Sequence, residues 1–204
     1  MKRAAFYIDG FNLYHSVLNL GDPKLKWLSL ASLCRLLVPS RTETVSSITY
    51  FSATATHRGT GSIVRHKTYI SALKSEGVEC VLGRFKDRHQ HCRSCGNQWN
   101  HPEEKETDVN VAIRMVADGF QDKYDVCYLV SADTDLVPAL KLIRNELPKK
   151  EIVAVSPPGR PHGQHIKSLA HRSLKLNRHQ IERSRLPNTI NWQGRTINCP
   201  PDYL

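Results

Sequence analysis

The chain has no apolar run near the roughly 18 residues that a membrane-spanning helix needs. Its start, MKRAAFYIDG, has the basic pair of a signal peptide, but the apolar stretch meets Asp9 after Ile8 and no small-residue cleavage site follows. The expectation is a soluble, intracellular, cytoplasmic protein without membrane contact. Cysteines are few and mostly scattered. Cys34, Cys80 and Cys127 lie in apolar stretches and read as buried thiols, which excludes a disulfide scaffold. Repeats and low-complexity segments are absent. Acidic residues are also short, 19 against 29 Lys and Arg over 204 residues, a net charge of +10. A surplus of that size on one domain implies a polyanionic partner, RNA or DNA before membrane. Hydrophobic residues make up 40%, enough for a packed core and too many for disorder.

What is present is an alternation of short apolar runs and helical stripes. Strands are expected at 4–8, 45–53, 78–85, 124–132 and 151–156. Helices are expected at 11–20, 29–37, 63–76, from a Thr107 cap to Gly119, and over 135–146. A loop is expected at 56–62. Such alternation predicts an α/β fold with a mostly parallel, Rossmann-like sheet between two helical layers. Residues 1–156 form this domain, with a polar Cys/His insert at about 86–106. Residues 157–204 carry eight Lys or Arg and two acids and read as a basic C-terminal extension, a last short helix followed by a tail.

In such sheets chemistry gathers beyond the carboxyl ends of the strands. Asp9 follows the first strand there, and Asp133 and Asp135 follow the strand at 124–132. Asp108 opens the helix before that strand. Clustered carboxylates repel unless a cation neutralises them, and oxygen ligands suit Mg²⁺ or Mn²⁺. Each aspartate also fits a plain turn or helix-cap role, Asp135 best and Asp9 least. Asn12 either orients water or phosphate or is a surface helix residue.

Residues 86–101, KDRHQHCRSCGNQWNH, hold a second constellation. Cys92 and Cys95, followed by Gly96, have zinc-knuckle spacing, and His89, His91 and His101 are candidates to complete a structural Zn²⁺ site. The plain alternative is a pair of loop thiols or a redox pair, with the histidines as polar surface. Arg58, Arg65 and Lys67 lie in or after the loop following the second strand. Arg84, Lys86, Arg88 and Arg93 follow the third. On loops at the acid edge they are candidates for holding nucleic acid, with Trp99 able to stack on a base or cover the metal.

YIDGFNLY (7–14), EKETDVNVAIRM (104–115) and YLVSADTDLVPAL (128–140) together resemble the NYN domain family of the PIN-like ribonuclease superfamily, over about residues 1–156. The resemblance implies a compact α/β/α sandwich and metal-dependent endonucleolytic hydrolysis of RNA. It implies Asp9, Asp108 and Asp133 as metal ligands, with Asn12 and Asp135 beside them. RNA is the implied partner, with room for a protein partner or a homodimer. The alternative is a non-catalytic RNA-binding or adaptor protein of the same fold. A haloacid-dehalogenase-like phosphatase needs a second Asp where Phe11 stands, and Gly59-Thr60-Gly61 lacks the third glycine of a dinucleotide site.

Overall fold

The computed structural model describes every residue except Thr56 and His162. The first residue of the expected loop at 56–62 therefore lies outside the described residues. The elements are β1 (Lys2–Asp9), α1 (Gly10–Leu18), α2 (Leu30–Leu37), β2 (Glu43–Ala53), α3 (Thr60–Ser75), β3 (Glu79–His91), β4 (Gln98–Lys105), α4 (Thr107–Phe120) and β5 (Val126–Val130). They continue with α5 (Val137–Glu146), β6 (Glu151–Ser156), α6 (Gln164–Leu169), β7 (Arg172–Lys175), α7 (Arg178–Arg183), β8 (Thr189–Trp192) and β9 (Arg195–Asn198).

Seven strands form one sheet in the order β4-β3-β2-β1-β5-β6-β7, and every pairing is parallel except β3 with β4. The expected α/β/α sandwich is the observed one. Side chains alternate across β1, so the sheet has two cores. Ala4, Phe6 and Ile8 pack with α1, α2, α3 and α7; Ala5 and Tyr7 pack with α4, α5 and α6. β5 follows the same rule, with Tyr128 and Val130 on the first face and Cys127 and Leu129 on the second. Carried one step further, the alternation sends Asp9 and Ser131 toward α4. From β1 the chain builds outward through β2 to β4, then crosses to β5 on the other side of β1. The crevice between the ends of β1 and β5 is thus the topological switch point.

Two expectations need correction. Residues 86–106 are not a loop but largely a β-hairpin. β3 runs on past the sheet and pairs antiparallel with β4, from Arg84 opposite Lys105 to His91 opposite Gln98. Both faces of this arm are largely polar, so the alternation that marks a half-buried strand is missing from its sequence. Its fork is close: a Cβ at Gly83 would stand 2.5 Å from the Lys105 carbonyl.

Nor are residues 157–204 a tail. β7 adds a seventh strand, and its Arg172 pairs with buried Glu43 and stacks over Tyr128. The rest closes a third core in which Trp27, Ala72, Leu186, Ile197, Cys199 and Tyr203 meet. Part of the C-terminal positive charge is therefore neutralised within the fold, through Arg172 and through Arg178 with Glu182 and Asp22. Cys34 and Cys127 are buried free thiols as expected, while Cys80 is half-buried. Among the described residues, no helix is long and apolar enough to cross a membrane.

Candidate metal centre at the sheet's carboxyl edge

Asp9, Asp108 and Asp133 each bring a carboxylate oxygen to within 4.8 Å of the others. Three elements converge to do this. Asp9 ends β1 and is only 4% exposed. One of its oxygens accepts from the Asn12 N–H at 2.9 Å, capping α1; the other accepts from the Ser131 hydroxyl at 2.8 Å. The aspartate expected to be the least cap-like is therefore a helix cap as well as a member of the cluster. Gly10 after it lets the chain turn, since a Cβ there would meet the Phe51 carbonyl at 2.5 Å.

The capping expectation at Asp135 is also corrected. A 3₁₀ turn over Thr134–Leu136 precedes α5, and Asp133 caps it by accepting from the Asp135 N–H at 2.9 Å. Asp135 itself is exposed. Asn12 is half-buried, and its side-chain oxygen accepts from the Ala132 N–H at 3.3 Å, tying α1 to the loop after β5.

Two participants are missed by the sequence reading. Ser131 is fully buried; besides donating to the Asp9 carboxylate it accepts from the Asp133 N–H at 3.0 Å, so one hydroxyl ties the Asp9 carboxylate to the Asp133 backbone. Its signal was the two-residue alternation along β5. Glu104 on β4 is a fourth acid near the cluster. Thr107, expected to cap α4, is its first residue instead. Its N–H donates to the Glu104 carboxylate at 3.1 Å and its hydroxyl donates there too, while Glu106 in the cap position has φ 80° and makes no side-chain cap. The Glu104 signal lay in its placement opposite Phe85, which needs the hairpin register.

Electrostatics follow from this crowding. Burial pushes the Asp9 carboxyl up, opposed by the Asn12 and Ser131 hydrogen bonds and assisted by the charges of Asp133 and Glu104. Asp108 rises from its ordinary value near 3.8 to about 6, through burial first and then the charges of Asp9, Asp133, Glu104 and Asp135. None of the three clustered aspartates has an ion-pair partner among the described residues. Hard carboxylate oxygens with uncompensated charge fit a divalent cation.

A pH prediction follows. A carboxyl whose folded value is raised holds its proton longer when folded, so its ionisation destabilises the metal-free fold as pH climbs from about 4 through 6. In EDTA at pH 7.5, Asp108→Asn should therefore stabilise the protein by about 1–2 kcal/mol in urea melts, after allowance for solvent screening. Added Mn²⁺ should raise the wild-type Tm much more at pH 7.5 than at pH 5, where protons compete for Asp108. An equal rise at both pH values would mean that the ion binds elsewhere.

The Cys₂His₂ set is not assembled. Directly opposed residues share a face of an antiparallel pair, so His101, opposite Arg88, lies on the other face from His89 and His91. Among the described residues, no third ligand atom joins Cys92 and Cys95 within 4.8 Å. The Cys92 N–H and carbonyl instead close the arm's turn with Asn97 and Gly96. Trp99 is 44% exposed.

The candidate cations sort into two groups. Arg84, Lys86 and Arg88 share one exposed face of the arm; Arg84 pairs with Glu106 at 2.7 Å and Arg88 with Glu103 at 3.8 Å. Arg65 pairs with Asp202 at 2.9 Å. Arg58, Lys67, Lys86 and Arg93 are exposed, and none has a carboxylate partner among the described residues. On the sheet face opposite the acids, a cavity of about 110 Å³ lies between α1 and α3, with Arg58 and Arg65 among its lining.

Comparison with known proteins agrees with this architecture. The chain is 26% identical to 6-hydroxy-3-succinoylpyridine 3-monooxygenase HspA of Pseudomonas putida, across 96% of this chain and 73% of that protein. A crystal structure of a protein of unknown function from Vibrio parahaemolyticus shares the fold, with TM-score 0.55 and 17% identity over 87% of this chain and 94% of that one. The family profile of the NYN domain matches residues 3–175, from the strand that ends in Asp9 to the end of β7, and the chain belongs to the NYN domain family.

Proposed function

We propose that the protein is a divalent-metal-dependent endoribonuclease that hydrolyses RNA phosphodiester bonds at the Asp9–Asp108–Asp133 centre. The observation that carries this reading is the convergence of three carboxylates, without ion-pair partners among the described residues, at the switch point of a basic NYN-family chain. Mg²⁺ or Mn²⁺ held by those three residues would supply an activated water and neutralise charge on the phosphoryl group. The chain's own part is positional. Ser131 and the Asn12 N–H fix the Asp9 carboxylate, and Asn12 locks the loop that carries Asp133. Exposed Asp135 stands beside them, with no ion-pair partner for its carboxylate among the described residues. Arg58, Lys67, Lys86 and Arg93 would hold phosphates, and paired Arg65, Arg84 and Arg88 would exchange carboxylates for them; such binding weakens steeply with salt.

The test is incubation of end-labelled single-stranded RNA with the protein in Mn²⁺, with and without EDTA. Metal-dependent fragments are expected. Salt-sensitive binding without fragments would replace the nuclease with an RNA-binding or adaptor protein of the same fold. A second reading rests on the HspA likeness together with the aromatic-rich cavity: oxygenation of a small aromatic heterocycle. Loss of 6-hydroxy-3-succinoylpyridine when oxygen and a reductant are supplied, with RNA left intact, would favour it.

A further inference from the structure

The cavity between α1 and α3 begins where the metal centre ends. Gly10 and Phe11, the two residues after Asp9, are part of its wall. The acids face α4, while the cavity faces the opposite helical layer, so the turn at Asp9–Phe11 divides two compartments at one edge of the sheet. Aromatic rings dominate the cavity. Phe11 meets Phe85 edge-on at 5.8 Å between centroids, and Tyr50 meets Tyr69 edge-on at 6.0 Å deeper in. At about 110 Å³ it is well below the roughly 300 Å³ of the smaller ligand pockets, which suits one flat ring system.

Among its polar groups, Ser52 and His66 are recessed, apart from the cations Lys26, Arg58 and Arg65 that also line it. Ser52 is 3% exposed and its hydroxyl lies 3.4 Å from His66 Nε2. Burial pushes the His66 imidazole down in pKa, so at neutral pH it offers one donor and one acceptor. Such a pair reads the edge of a neutral heterocycle. The lining cations are separate from it. Arg65 is held by Asp202, whereas Arg58 is exposed and has no carboxylate partner among the described residues. A ring inside with an anion at Arg58 is the arrangement this wall accommodates.

We propose that the cavity receives a single unpaired nucleobase of the RNA, splayed across the Phe11 turn while the adjoining phosphodiester lies at the acids. This rests on the nuclease reading for its substrate class. It adds that the enzyme senses base identity next to the cut through Ser52 and His66, with the rings of Phe11, Tyr50 and Phe85 supplying the contact area. Base–aromatic stacking is the usual source of affinity for unpaired strands.

The test uses the full chain in EDTA, so that it does not depend on cleavage. The four nucleoside 5′-monophosphates and ribose 5-phosphate are titrated by calorimetry. At least one nucleotide should bind about tenfold or more tighter than ribose 5-phosphate, the scale of one stacked base. Ile63→Trp, which fills the cavity from α3, should abolish that margin. His66→Leu, of smaller disturbance, should level the differences among the four bases. Asp9→Asn should keep the margin, and both cavity variants should keep the Mn²⁺-induced rise in Tm, which reports a folded metal site. The proposal is overturned if ribose 5-phosphate binds as well as the nucleotides, if Ile63→Trp binds them unchanged, or if only a free pyridine carboxylic acid binds. Base binding without any metal-dependent cleavage would sink the nuclease reading and leave the cavity assignment standing.

Discussion

Asp9→Asn should reduce metal-dependent RNA cleavage by more than about 100-fold while leaving the fold intact. Altering a group that merely supports a metal ligand costs about 10- to 100-fold in affinity or activity, and Asp9 is itself in the cluster. The fold survives because asparagine caps a helix as well as aspartate does. Its side-chain oxygen can still accept from the Asn12 N–H, and its amide can donate to the Ser131 oxygen. The substitution also removes a buried carboxylate whose ionisation is opposed by burial and by neighbouring acids. The metal-free Tm should therefore stay level or rise, while the Mn²⁺-induced increase disappears. Cleavage at the wild-type rate by the folded variant would sink the metal assignment. A variant that fails to fold would show that the cap needs the charge, and Asp133→Asn would then carry the test.

Trp27→Ala should destabilise the protein by about 3–5 kcal/mol, the usual cost of emptying a large aromatic site. Trp27 is fully buried, its indole N–H donates to the Pro187 carbonyl at 2.9 Å, and its own carbonyl accepts from the Leu186 N–H at 2.9 Å. The residue thus fastens residues 185–203 to the 3₁₀ turn at Pro23–Lys26 and, through Ala72, to α3. Urea denaturation should show the loss, and limited proteolysis should cut first beyond α7. A change under about 1 kcal/mol would mean that the C-terminal segment is an appendage, as its composition suggests, and not a wall of the fold.

The contrast between these residues explains what was readable beforehand. β1, β5 and β6 are buried on both faces, so their sequences are unbroken apolar runs that allow few other readings. The order of strands and helices then directed Asp9 and Asp133 to one edge. β7 and β8 are four residues each and half exposed, and the arm of β3 and β4 is polar on both faces. Short or two-sided polar strands carry no periodicity, and pairing with neighbours is what makes them strands.

By itself the sequence determined the layered α/β architecture, the NYN resemblance and the three aspartates of the centre, because buried parallel strands and the acids that end them leave local marks. Only the tertiary structure decided how those acids are held. Ser131, Asn12 and Glu104 act through partners roughly 100 or more residues away or across a hairpin register, and nothing local to them encodes that distance. It also set the faces of the arm, since strand pairing turned His101 away from His89 and His91. And it set the C-terminal residues against Trp27, turning a segment that composition marks as basic and loosely apolar into the third core of the molecule.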